Sequence, residues 1–214
     1  QEIIRAVSKK KQEGNLPVFL CPPRKAPAVP SNGARTGGHL RRPVSTATEV
    51  PATPEIKRMP KLVWLDTGLV NYAAQVQKEV LGAKDIMDAW RGMIAEQIVA
   101  QELLTLTDKV SQKRCFWVRN KSGSNAEVDY VWVQDSMVYP IEVKSGHNAH
   151  LRSLHSFMNH SNQTVAVRIW SQPYAVDEVK TADGKEFKLI NLPFYLVGKL
   201  DSILRRFETT FDNA

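Results

Sequence analysis

The sequence predicts an α/β fold with a central mixed β-sheet flanked by helices. Three observations carry this expectation. From Lys61 onward the elements run helix, three strands, helix, strand, helix, and such interleaving packs helices against a sheet. The stretches EVDYVWVQDSMVYPIEVKSG (127–146) and TVAVRIW (164–170) are rich in β-branched and aromatic residues, the strand formers. Residues 85–106 read as the best helix, because Ala89, Met93, Glu96, Ala100 and Leu103 follow a 4-3-4-3 spacing, which is one helical stripe.

Residues 1–60 read as a basic, Pro/Gly-rich linker or poorly ordered segment, and residues 61–214 as the folded domain. Residues 1–61 hold 12 Lys+Arg against 4 Asp+Glu and 9 of the 12 prolines, whereas the remainder holds 17 Lys+Arg against 18 Asp+Glu. The formal net charge of +7 therefore belongs to the N-terminal segment. Such a basic tail either binds phosphates nonspecifically or stays solvated and inert. Its Pro- and Gly-rich stretch shows no apolar period, so residues 15–60 are expected to pack little. NLPVFL (15–20) is the one strand-like run there, and QEIIRAVSKKKQ reads as the end of a helix.

From Lys61 the texture changes. LVWLDTGLVNYA reads as a short buried strand, a turn at Asp66-Thr67-Gly68, and a helix start. After the 85–106 helix, RCFWVR (114–119) is a strand and KSGSN a turn. Residues 126–133 and 137–144 form a hairpin around Gln134-Asp135-Ser136. Gly146 breaks the chain before a helix over 149–159. Residues 164–170 give a further strand and 187–190 a last short one, and Pro193 opens a C-terminal helix, FYLVGKLDSILRRF.

No run of about 18 apolar residues occurs, so no transmembrane helix is expected. The charged N-terminus is followed by no apolar core of a secretory signal. Cys21 and Cys115 lie far apart and suit neither a disulfide framework nor a zinc motif. A reducing, cytoplasmic setting fits that usage. The chain begins without an initiator Met and reads as part of something longer.

The hairpin raises the functional question, because acids stand on strands that otherwise read as core. Residues i and i+2 share a strand face, so Glu142 and Lys144 point one way and Ile141 and Val143 the other. Asp129 is expected to share its face with Val131 and Val133, and hairpin pairing brings it close to Glu142. Glu96 stands in the middle of the small, apolar helix stripe. A carboxylate facing a core is costly unless paired or bound to a metal. Glu96, Asp129 and Glu142 with Lys144 have one joint explanation, a divalent cation site for Mg²⁺ or Mn²⁺. Such a site suits phosphodiester hydrolysis, with Lys144 orienting water or neutralising developing charge. Each residue also has a plainer reading. Glu96 would pair with Arg91 or Lys113, Asp129 would end a hydrogen-bond network, and Glu142–Lys144 would be a solvated edge-strand salt bridge. Glu127 reads as an auxiliary ligand or a solvated strand end.

These residues resemble a known signature. A helix Glu (Glu96), a strand Asp (Asp129) and Glu142-Val143-Lys144 on the next strand look like the PD-(D/E)xK nuclease motif. No Pro precedes Asp129; Val128 stands there. The resemblance implies a restriction-endonuclease-like sheet, with Glu96, Asp129 and Glu142 as metal ligands and Lys144 as a catalytic residue. Most of residues 60–208 also resemble one prokaryotic family. KLVWLDTGLVNYA, the helix Glu, FWVRNKSGSNAEVDYVW, YPIEVKSG, LRSLHSF and NLPFYLVGKL appear in the order of the uncharacterised domain C-terminal to the ATPase module of AAA-type ATPases. The nuclease resemblance implies DNA as substrate, and the second resemblance implies an upstream ATPase module as partner. No G-x-x-x-x-G-K-[ST] occurs in the chain, so ATP hydrolysis is not expected of it. The competing reading is a non-catalytic module that docks nucleic acid or protein beside the ATPase.

Overall fold

The computed structural model describes residues 39–64, 66–73, 75, 92–106, 115–119, 126–145 and 150–211, all within the unit Gly33–Ala214. They form strands β1 (His39–Arg42), β2 (Val44–Ser45), β3 (Lys61–Trp64), β4 (Cys115–Val118), β5 (Glu127–Gln134), β6 (Met137–Val143), β7 (Val165–Trp170), β8 (Ala175–Lys180) and β9 (Glu186–Pro193). The α-helices are α1 (Thr67–Ala73), α2 (Met93–Thr105), α3 (Arg152–Asn159) and α4 (Leu200–Phe211), with a 3-10 helix over Phe194–Lys199 leading into α4. Among these residues no helix is long and apolar enough to cross a membrane.

Seven of the strands make one sheet in the order β2-β4-β5-β6-β7-β9-β8. The β2–β4, β6–β7 and β7–β9 pairs are parallel, and β4–β5, β5–β6 and β8–β9 antiparallel. The sheet is therefore mixed and the fold α/β, as the sequence predicts. Strand alternation sends side chains to both faces. Tyr130, Trp132, Ile141, Val143, Val167 and Ile190 pack in one core with Val99 and Leu103 of α2 and Leu200 and Leu204 of α4. Trp117, Val131, Val138, Ala166 and Leu189 pack on the other with Leu154, Phe157 and Met158 of α3. The Trp117 and Phe157 rings meet edge to face, centroids 5.2 Å apart.

The hairpin forms as expected, with Gln134 opposite Met137. Its two-residue turn, Asp135-Ser136, has φ of 46° and 68°, the positive values that match the twist of the flanking strands. Four expectations need correction. The helix read over 85–106 begins, within the described residues, at Met93, because Gly92 has φ 92°, a left-handed value no helix passes through; residues 85–91 lie outside the described residues. Strand β8 is absent from the sequence reading because AVDEVK is almost wholly exposed and shows no buried alternation. The last strand is longer than 187–190, and Pro193 closes β9 rather than opening a helix.

The fourth correction is the boundary at residue 60. Residues 39–60 belong to the fold, whereas residues 1–38 lie outside the described set. β1 pairs antiparallel with β3, and β2 joins the main sheet beside β4. Pro43, which has no N–H to offer a ladder, separates the two, and its carbonyl accepts from the Phe116 N–H at 3.1 Å. Arg42, Val44 and Ser45 are buried. The loop behind them is tied back as well. The Trp117 indole donates to the Thr46 carbonyl at 3.2 Å, and the Glu55 N–H to the Val44 carbonyl at 2.8 Å. Local proline content hid these non-local bonds. A chain starting at Lys61 is accordingly expected to melt well below one starting at residue 33, by at least about 5 °C, since it strips β4 and β3 of their partners. Equal melting temperatures would contradict the pairing.

Candidate metal centre

The four residues singled out lie around the ends of β5 and β6. The register of β5 changes at this point. Cys115 sits opposite Val131, but Trp117 sits opposite Val128. One residue of β4, Phe116, therefore faces two of β5, Asp129 and Tyr130. This is a β-bulge, which re-aims side chains. Val128 and Val131 consequently both face α3, and Asp129 leaves the face of Val131 and Val133, contrary to the simple alternation expected from the sequence. It follows Tyr130 toward α2, where the Tyr130 hydroxyl donates to the Glu96 carbonyl at 2.7 Å.

Asp129 is also where the β5–β6 ladder gives way. The last backbone pair is Tyr130 with Ile141. One step further the Val143 N–H donates, at 2.8 Å, to the Asp129 carboxylate instead of to backbone. That bond fixes Asp129 against the chain segment carrying Glu142 and Lys144. Glu142 and Lys144 alternate along the strand with Ile141 and Val143, which pack in the α2-side core. The Glu142 charge is felt at Asp129, and the Glu96 charge at Glu142. Glu142 and Lys144 form an ion pair of 2.7 Å, with Glu142 buried and Lys144 partly exposed. The second Glu142 oxygen, Oε2, is buried with no hydrogen-bond partner among the described residues, a costly state for a carboxylate.

Glu96, in the first turn of α2, is half-buried. Among the described residues its partner is Arg42 of β1, at 3.2 Å; Arg91 and Lys113, the partners expected from the sequence, lie outside the described residues. The buried Arg42 guanidinium lies 4.2 Å from the Tyr130 ring centre and 5.6 Å from that of Phe116. Glu127 is taken by Lys61 of β3, whose ammonium lies 4.8 Å from the Phe116 ring centre. Three of the four acids thus have a basic partner, and Asp129 forms no ion pair among the described residues. Sequence reasoning missed both Arg42 and Lys61, since partners 54 and 66 residues away leave no local period.

The electrostatics follow from this placement. Burial, and then the charges of Glu96 and Glu142, push the Asp129 pKa from its ordinary 3.8 up to about 8; the Val143 N–H and Arg42 pull it back only in part. Burial also raises Glu142, with the Lys144 hydrogen bond and charge opposing and the charges of Glu96 and Glu127 adding. The acids therefore act on one another, and their mutual repulsion together with burial favours the protonated form of Asp129. Among the described residues, however, no three His, Cys, Asp or Glu side chains stand as a ready metal-binding group. Asp129 is bonded to the backbone of the segment that carries Glu142 and Lys144 and feels the charges of Glu142 and Glu96, while Glu96 is engaged by Arg42. The donor set fits a hard divalent cation in chemistry, being carboxylate oxygens with one buried oxygen unpartnered.

Residues 91–195 match the model of a family described as a domain of unknown function, DUF4143. The matched stretch includes Glu96, Asp129, Glu142 and Lys144. No curated protein and no solved structure matches the chain.

Proposed function

We propose that this chain is a metal-dependent nuclease-like domain with a restriction-endonuclease-like sheet, acting on DNA beside an upstream AAA-type ATPase module in the cytoplasm. The observation that carries the reading is the junction of β5 and β6. There Asp129 binds the Val143 N–H, the neighbouring Glu142 keeps one buried oxygen without a partner among the described residues, and Lys144 stands on the other. Asp129 and Glu142 would hold Mg²⁺ or Mn²⁺, with Glu96, which Arg42 engages, as a weaker third donor. When bound, such an ion lowers the pKa of a coordinated water and stabilises charge on a phosphoryl group. Lys144, partly exposed at the strand end, places its ammonium where a phosphate oxygen gains charge, without itself being a ligand.

A second reading has an observation of its own. The pairs Arg42–Glu96, Lys61–Glu127 and Lys144–Glu142 favour a non-catalytic module whose acids serve only as internal ion pairs. The two readings separate on one experiment. Linear, branched and single-stranded DNAs are incubated with the full chain in Mg²⁺, in Mn²⁺ and in chelator. The nuclease reading expects cleavage of at least one substrate that stops in chelator and with Asp129→Asn. Intact DNA throughout, from a folded protein, supports the docking module.

A further inference from the structure

We propose that Arg42 is an internal counter-cation that withholds Glu96 from the acid centre and so weakens its hold on a divalent metal. The inference rests on the metal-centre reading and adds a determinant of its affinity that lies outside the four residues of the motif.

Arg42 is poorly satisfied as a structural residue. A buried guanidinium is ordinarily satisfied by paired, forked hydrogen bonds. Arg42 is only 4% exposed, yet among the described residues its guanidinium makes one hydrogen bond, from Nη2 to Glu96 Oε2. Its Nε and Nη1 are buried and have no hydrogen-bond partner among the described residues. The guanidinium instead lies against the faces of Tyr130 and Phe116, which retain a cation without neutralising it. What Arg42 supplies is therefore a desolvated positive charge, held rigidly against Glu96.

That charge stands where it matters. Phe116 lies opposite Asp129 and Tyr130 at the β5 bulge, Arg42 lies against both rings, and its charge is felt at Asp129. Glu96 faces Arg42, while its charge is still felt at Asp129 and Glu142. A divalent ion held by Asp129 and Glu142 thus meets Arg42 twice. The guanidinium repels it directly, and it occupies the oxygen of the third acid. This arrangement also explains why the acids are electrostatically joined without three of them forming a ready coordination group.

The test is Mn²⁺ binding to the full chain by calorimetry, which needs no catalytic activity. Arg42→Met keeps an apolar stem for the ring stack and removes the charge. It is expected to bind Mn²⁺ about tenfold more tightly than wild type, given the strength of partly buried charge pairs, and to melt lower in chelator. Arg42→Lys keeps the charge and is expected to bind like wild type. A measurement independent of Arg42 variants is Glu96→Gln. Because Glu96 is engaged by Arg42, this change should weaken Mn²⁺ less than threefold, while Asp129→Asn weakens it about tenfold or more. Unchanged or weaker binding by Arg42→Met, or equal losses from Glu96→Gln and Asp129→Asn, would overturn the inference while leaving the metal centre intact. Wild-type protein that binds no Mn²⁺ at millimolar concentration would instead remove the metal-centre reading itself.

Discussion

Lys144→Ala is expected to lower DNA cleavage about 10²–10³-fold, the usual loss when one positioned charge stabiliser is removed, while Mn²⁺ affinity changes little because no ligand is lost. The stability effect separates this role from a surface ion pair. An exposed pair is worth at most about 1 kcal/mol, but Glu142 is buried, and its other oxygen has no partner among the described residues. Removing Lys144 leaves a buried carboxylate without a counter-charge, so the metal-free protein should lose about 1–3 kcal/mol. Saturating Mn²⁺ should restore much of that loss by supplying a new positive charge. Denaturant melts of Lys144→Ala with chelator and with Mn²⁺ read both quantities. A loss that Mn²⁺ does not reduce would assign Lys144 to the fold alone.

The second large effect is on the pH dependence of stability. The folded-state pKa of Asp129 lies near 8, against 3.8 for the free side chain. The native protein thus binds more protons than the unfolded chain between these values, and its stability falls as pH rises. The contribution is fully present below about pH 4 and is lost as pH passes 8, with a slope of up to about 1.4 kcal/mol per pH unit. Glu142, also raised, adds in the same direction. Asp129→Asn removes this titration while still offering an oxygen to the Val143 N–H. In chelator at pH 8 it should therefore be more stable than wild type, by on the order of 1–3 kcal/mol. In wild type, Mn²⁺ binding at pH 7 should release a proton and tighten as pH rises through 8. Denaturant melts across pH 5 to 9 test the sign, and wild-type stability that increases with pH in chelator would contradict it.

What could be read from the sequence was whatever depends on near neighbours. The hairpin was legible because EVDYVWV and MVYPIEV carry strand-forming residues on both sides of a turn. Glu142 and Lys144 were legible as one face because β6 is regular. Asp129 was legible as an unusual acid but not in its direction, because the bulge that turns it toward α2 is set by the register of β4. The segment around Val44 was hidden by the prolines flanking it. Its place beside β4 is decided by a parallel pairing to residues more than seventy positions away. β8 was hidden for the opposite reason, since a solvated edge strand has no apolar face to read. Arg42 and Lys61 were invisible as partners, because a long-range ion pair imposes no spacing on the chain.

The most direct measurement of the central claim is anomalous scattering from crystals soaked in Mn²⁺. The account predicts one manganese peak between the carboxylates of Asp129 and Glu142, beside but not bonded to Lys144, and lost in Asp129→Asn crystals. Fully occupied manganese elsewhere with none at these two acids, or no peak at saturating Mn²⁺, would contradict it.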